Sequence, residues 1–159
     1  MKKFIYISIV MAVLLFTFFE WLRHPLPVTK GTHTISGLLK QVDIYTDKYG
    51  VPHIFADNEQ DLFFAAGYIA ARDRLFQLSL VSLAVRGGLS SVLGPEYLEK
   101  DIYFRTWKIH ETAKKLVENM DARNKVIVED FCKGINSRID EVYNDPPLEF
   151  KLLGFKPSH

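Results

Sequence analysis

Residues 57–86 read Asp-Asn-Glu-Gln-Asp-Leu-Phe-Phe-Ala-Ala-Gly-Tyr-Ile-Ala-Ala-Arg-Asp-Arg-Leu-Phe-Gln-Leu-Ser-Leu-Val-Ser-Leu-Ala-Val-Arg, and the folding of this stretch decides the architecture. Asp57 or Asn58 can cap a helix, Glu59 and Asp61 favour its positive N-terminal end, and helix formers run unbroken to Val85. One apolar stripe comprises Leu62, Ala65, Ala66, Ile69, Leu75, Leu78 and Val81. Phe63, Phe64, Tyr68, Phe76, Leu80 and Leu83 cover much of what is left. A helix apolar nearly all round is buried on most sides, and that needs more protein around it than 159 residues supply. In its centre stand Arg72-Asp73-Arg74. Burying lone charges costs several kcal/mol, so these three are expected in an ion-pair network, with each other or with partners elsewhere, Asp101 and Arg105 being candidates. Direct substrate contact is the alternative.

Upstream, Leu39 to Thr46 places Val42 and Ile44 on alternate positions from Asp43 and Tyr45, which is strand periodicity. Asp47-Lys48-Tyr49-Gly50 is a turn, with glycine where positive φ is needed. Val51 to Ala56 reads as a second strand, Pro52 belonging at its edge or start. Together they predict a hairpin. Downstream, Arg86-Gly87-Gly88 stops the long helix; an anion site at the two glycines is the rarer reading. Leu89 to Leu93 adds a turn, and Glu96 to Trp107 is mixed and aromatic. Helices are predicted over about 109–119 and 122–143, Asp121 capping the second. That second helix buries Val126, Ile127, Asp130 or Phe131, Gly134, Ile135, Ile139 and Val142. Asn144-Asp145-Pro146-Pro147 ends it, and Leu148 to Leu153 forms a short helical segment.

The first residues differ from the rest. Lys2 and Lys3 precede a charge-free run, Phe4 to Phe19, whose sixteen residues cover roughly 24 Å as a helix. That falls short of the ~30 Å hydrocarbon core, though Trp21 and Leu22 can extend it into the interface. Residues 1–23 read as a signal peptide or as a retained anchor, with a buried core helix as the third reading. No Ala-x-Ala-like cleavage site precedes Glu20, which favours the anchor and a membrane contact through residues 4–22. Either way the rest is exported, facing the periplasm or the outside, or secreted after cleavage. Residues 24–36, with Pro25, Pro27 and Gly31, form a spacer.

Composition limits the chemistry. With 48% hydrophobic, 13% aromatic and 25% charged residues, disorder is excluded. Twenty basic against 19 acidic side chains exclude a binder of nucleic acid driven by a strong basic field. A single cysteine, Cys132, excludes a disulfide framework and a thiolate zinc cluster within the chain. It sits on a helix core face and is expected to be a buried, small apolar residue. His24, His33, His53, His110 and His159 show no metal-site spacing. His53, beside a proline in a strand, is expected to be packed and hydrogen-bonded, with a site role as the alternative. No Gly-x-Ser-x-Gly elbow, phosphate loop or Gly-x-Gly-x-x-Gly occurs.

Several strings occur in a fixed order: Tyr49-Gly50-Val51-Pro52-His53-Ile54-Phe55-Ala56, Asp61 to Tyr68, and Ala71-Arg72-Asp73-Arg74-Leu75-Phe76-Gln77. Gly87-Gly88-Leu89-Ser90-Ser91-Val92-Leu93-Gly94, Asp101 with Arg105, and Leu148-Glu149-Phe150-Lys151-Leu152-Leu153-Gly154 continue them. Over residues 37–159 this resembles the penicillin amidase (penicillin acylase) family. The resemblance implies an N-terminal nucleophile hydrolase, made as a precursor that cleaves itself into α and β chains. The β chain's new N-terminal serine attacks an amide carbonyl with its own α-amine as base, because that amine titrates near neutrality beside the hydroxyl. An oxyanion hole, also from the β chain, stabilises the tetrahedral intermediate.

The implied fold is α+β. An N-terminal hairpin and a helical cover belong to an αββα sandwich that is incomplete in this chain. Residues 37–159 would be a truncated α-chain segment, without a Gly-Ser or Ala-Ser junction, and Gly31-Thr32 lies upstream of every motif. No catalytic, cofactor-binding or metal residue carries over. The acyl-pocket residues and the Ca2+-ligand glutamate of some members align beyond His159, so Ca2+ belongs to the full-length enzyme and Glu149 is a packing or capping residue. The implied partners are the remainder of the α chain, the β chain and a small acylated amine. β-Lactam side chains and acyl-homoserine lactones are both substrate classes of the family. The rival reading is a non-catalytic, membrane-anchored helical module that binds a partner through its apolar helix.

Overall fold

A computed structural model describes residues 2–23 and 29–159; in the first helix the described side chains are those of residues 3, 4 and 6–20. The elements run α1 (Lys2–Arg23), β1 (Asp43–Thr46), β2 (Pro52–Phe55), α2 (Glu59–Arg86) and α3 (Ser90–Leu93). A 3-10 turn (Pro95–Tyr97) then leads to α4 (Leu98–Thr106), α5 (Ile109–Glu118), α6 (Ala122–Val142) and α7 (Leu148–Leu153). The fold is mostly helical with one two-stranded sheet.

The hairpin forms where period-two patterning meets its turn. Ile44 pairs with Ile54 and Thr46 with Pro52; on this face Ile44, Pro52 and Ile54 are half-buried, while Asp43, Tyr45, His53 and Phe55 on the other are exposed. Pro52 opens β2, where its missing N–H is tolerated. The Asp47 carboxylate closes the turn by accepting from Tyr49 and Val51 amides at 2.8 and 2.9 Å, and Gly50 sits at φ +82°.

Helix α2 starts at Asn58, whose side chain accepts from the Asp61 amide at 2.8 Å. It ends at Gly87, which has φ +66° and no room for a side chain: a Cβ there would lie 2.6 Å from the Arg105 Cγ. The burial expected all round is found in one half only. Asp61, Phe64, Ala65, Gly67, Tyr68, Ile69, Ala71 and Leu75 are buried. At Arg74 the backbone leaves helical geometry and α2 kinks; past it Val81 is 61% exposed. Past the kink the cover is partial: Leu75 is buried and Phe76 and Leu78 pack on the core, while Val81 faces out.

The core lies between α2 and α6, which pack along each other more extensively than any other pair of elements. Ala71, Leu75, Ile139, Val142 and Phe150 form its centre, flanked by Phe76, Leu78, Ile135 and Phe155. Phe150, fully buried on α7, meets Phe155 and Phe76 at ring-centroid distances of 4.9 and 5.5 Å. On α6 the predicted face is right at Asp130, Gly134, Ile139 and Val142, but Val126 is 53% exposed. Cys132 is exposed rather than buried, because it faces away from α2.

Among the described residues no helix is long and apolar enough to cross a membrane. A membrane contact through residues 4–22 therefore gains no support. The side chains of Trp21 and Arg23 and residues 24–28 of the spacer, with His24, lie outside the described residues.

Lys108, between α4 and α5, is the one described non-glycine residue at positive φ, with φ 51° and ψ 37°. Left-handed geometry costs an L-residue roughly 1–2 kcal/mol, partly offset in a glycine variant by the greater freedom of its unfolded chain. Lys108→Gly is therefore expected to raise unfolding free energy by roughly 0.5–1 kcal/mol, measured by urea titration. A loss of stability would show that the lysine side chain makes a contact of greater worth.

Candidate functional site

The quoted strings of the sequence lie on the hairpin, along α2, at the α3–α4 corner and on α7. At the hairpin, Asp47 Oδ2 faces His53 Nε2 at 3.5 Å. Bonds from the Val51 and Tyr49 amides and from His53 hold the Asp47 carboxyl below its ordinary range. His53 is thus not packed away; its side chain is 54% exposed, because its strand position points outward beside Tyr45 and Phe55. Those two rings meet edge-on at 5.8 Å and are 64% and 59% exposed.

The charged triplet of α2 pairs in part within itself, as expected, and not with Asp101 or Arg105. Arg72 is nearly buried and binds its neighbour Asp73 through Nε at 2.7 Å and through a second nitrogen at 3.2 Å. Arg74, at the kink, reaches only the Gln77 side chain, at 3.5 Å. Asp101 and Arg105 are not partners of the triplet. They stand on α4, beyond the far end of α2, and bind the turn that ends it. Asp101, 3% exposed, accepts from the Leu89 and Ser90 amides, both at 2.8 Å, and from the Ser90 hydroxyl at 2.6 Å. Arg105 donates to the Gly87 carbonyl through Nε and a terminal nitrogen at 3.0 and 2.7 Å. Burial pushes the Asp101 carboxyl up, but the donors from Ser90 and Leu89 outweigh it and hold the group below the ordinary range. Gly87-Gly88 is a helix stop, held from α4.

A polar cleft of about 510 Å³ lies between residues 33–37, α2 and α6. On its floor the Tyr68 hydroxyl donates to Glu141 Oε2 at 2.6 Å, and Arg138, almost fully buried, pairs with the same oxygen at 2.7 Å. Burial, then the Glu141 carboxylate, pushes the Tyr68 phenol up to about 12. The sequence offers little signal for this cluster, since its members lie 73 residues apart.

What these elements can do chemically is limited. Ser90 donates to a carboxylate whose two oxygens already serve amides, Ser91 donates to the Gly88 carbonyl, and Cys132 is exposed without a base bonded to it. Among the described residues no serine, threonine or cysteine is hydrogen-bonded to a histidine or an amine. No group of three or more His, Cys, Asp or Glu side chains among them could hold a metal ion. Arg72 and the Asp101–Arg105 pair are structural in their contacts.

Comparison with known proteins fits this arrangement. A family model for penicillin amidase matches residues 41–159. Penicillin G acylase of Escherichia coli is 31% identical over 124 residues, covering 74% of this chain and 14% of that protein. Acyl-homoserine lactone acylase QuiP of Pseudomonas aeruginosa (strain PAO1) is 31% identical over 134 residues, covering 84% and 16%. Penicillin acylase 2 proenzyme of Pseudomonas sp. (strain SE83) is 33% identical over 140 residues, covering 87% and 18%. The solved thermostable penicillin G acylase from Alcaligenes faecalis superposes with a TM-score of 0.67 at 28% identity, over 76% of this chain and 66% of that one. The chain thus spans less than a fifth of the length of the curated relatives it matches. With hairpin, kinked helix and glycine corner inside the matched region, the chain belongs to the penicillin amidase family, whose members are amide-hydrolysing acylases.

Proposed function

We propose that this chain is the N-terminal part of the precursor of an acylase that hydrolyses a linear amide, releasing a carboxylic acid from a small acylated amine. The substrate is of the β-lactam side-chain or acyl-homoserine lactone type, the two kinds named among its relatives. One observation carries this reading: the penicillin amidase model matches residues 41–159, while the chain covers only 14–18% of the acylases it resembles. The nucleophile, an N-terminal serine whose amine serves as base, then belongs to a β chain, and the remainder of the α chain completes the acyl pocket. Any Ca2+ is held outside this segment. Lys2 and Lys3 before the apolar run support export to the far side of the membrane, with α1 as leader or tether. The relatives give no support to a non-catalytic module.

The test is an amide-hydrolysis assay of the purified 159-residue chain, with a penicillin and an acyl-homoserine lactone as substrates. No turnover above background is expected. Turnover would place the nucleophile within these residues and overturn the assignment.

A further inference from the structure

From the groove between the hairpin and α2 we infer a docking site for an extended, carboxylate-bearing peptide segment, with Arg74 as the residue that receives the carboxylate. The inference rests on the precursor reading, since it takes that segment from polypeptide outside these 159 residues.

The groove measures about 1300 Å³ and runs between Thr46 and Val51 on one side and Ile69 and Arg74 on the other. Its walls are apolar where the hairpin faces the helix, at Ile44, Ile54, Ala66 and Ile69. Its charge is uneven. Lys30, Arg72, Asp73 and Arg74 line it; Asp73 is taken by Arg72, so the groove keeps an excess of positive charge. Arg74 has no carboxylate partner among the described residues, only the Gln77 amide at 3.5 Å. A guanidinium recognises a carboxylate through paired N–H bonds, and a two-stranded sheet is marginal alone and gains from a further strand or cover. An extended segment with apolar residues around one Asp or Glu satisfies both needs. The matched relatives have ample polypeptide to supply it, since this chain covers only 14–18% of them. Such a segment also explains why three charges interrupt the helix at its kink: Arg72 and Asp73 neutralise each other, leaving Arg74 for the incoming acid.

The experiment is an NMR titration of the full chain in detergent micelles with two probes: an acetylated, amidated Val-Thr-Glu-Val-Thr peptide and its Gln counterpart. The Glu peptide is expected to bind about fivefold more tightly at low salt, with shifts confined to Thr46, Ile54, Ala70 and Arg74. The preference should vanish in Arg74→Gln, survive in Arg74→Lys at reduced size, and fade as salt rises. Arg74 is exposed, so both variants should keep the wild-type circular dichroism spectrum. Equal affinity for the two peptides, absence of binding, shifts centred on α5, or equal displacement by octanoate would each overturn the inference. The outcome is separable from the assay above. Peptide discrimination can fail while the chain stays inactive, and turnover by the chain would leave the peptide titration readable.

Discussion

Gly134→Ala is expected to destabilise the fold by about 3 kcal/mol or more, the largest loss of any single methyl addition in this chain. Gly134 on α6 and Gly67 on α2 are where the two helices cross. A Cβ at Gly134 would lie 1.9 Å from the Phe64 carbonyl oxygen and 2.7 Å from the Tyr68 amide nitrogen. A Cβ at Gly67 would lie 1.9 Å from the Phe131 carbonyl oxygen. These obstacles are backbone, which cannot rotate aside, so the helices must separate along the whole contact. Separation opens the space around Ala71, Leu75 and Ile139, where close packing is lost in proportion to the void created. Gly67→Ala should act similarly, and the double variant should lose less than the two singles combined, because one separation relieves both clashes. Gly88→Ala is the control: its Cβ would meet Leu83 Cδ2 at 3.4 Å, an ordinary contact, and its effect should stay below about 1 kcal/mol. Urea titrations of the four proteins decide it. A Gly134→Ala midpoint close to that of Gly88→Ala would mean that the helices cross elsewhere.

The crossing also shows where sequence reading stops. Sequence pattern puts Gly134 on the inner face of α6 and marks the hairpin, a cap at Asp57 or Asn58, the Asp121 cap and the glycine stop, because each rests on local geometry; folding selects Asn58. The pattern could not report that the facing residue is Gly67, since two helices reveal their register only when packed. The charged residues follow the same division. Arg72 pairs with its sequence neighbour, a contact open to local reasoning, whereas Asp101 and Arg105 grip the end of α2 through backbone groups 11 to 18 residues away. Side chain-to-backbone bonds of this range leave no residue-type pattern at the acceptor or donor, so Asp101 and Arg105 resemble ion-pair partners until the chain is folded. Cys132 reads as part of the core face of α6, yet its position around the helix turns it to solvent.

Asp61→Asn is expected to cost nearly as much as Asp61→Ala, roughly 3 kcal/mol, although it preserves size and shape. Asp61 is fully buried in the first turn of α2. One carboxylate oxygen accepts the Leu39 amide at 2.8 Å; the other accepts the Lys40 amide at 3.0 Å and the Asn58 side-chain amide at 2.6 Å. The first turn reads as a dipole-favoured acid in sequence, but the carboxylate ties residues 37–40 to the helix and so fixes how the hairpin enters. Every partner is a donor. An asparagine must point its own NH2 at one of them, while an alanine leaves the Leu39 and Lys40 amides without acceptors. Hydrogen exchange at those two amides should accelerate in both variants, before any change at the α2–α6 core. Burial pushes the Asp61 carboxyl up, yet the bonds from Leu39, Asn58 and Lys40 outweigh it and hold the group below its ordinary range. A depressed folded value means that the unfolded chain binds the proton first. The contribution is therefore complete above the unfolded value of about 3.9 and is lost as pH falls through the lower folded one. Asp47, Asp101, Asp121 and Glu141 are shifted in the same direction, so acid weakens several ties at once. Asp61→Ala should flatten the acid limb of stability against pH without abolishing it. An unchanged acid limb in that variant, or an Asp61→Asn protein as stable as the parent, would show that the three donors do not depend on this carboxylate.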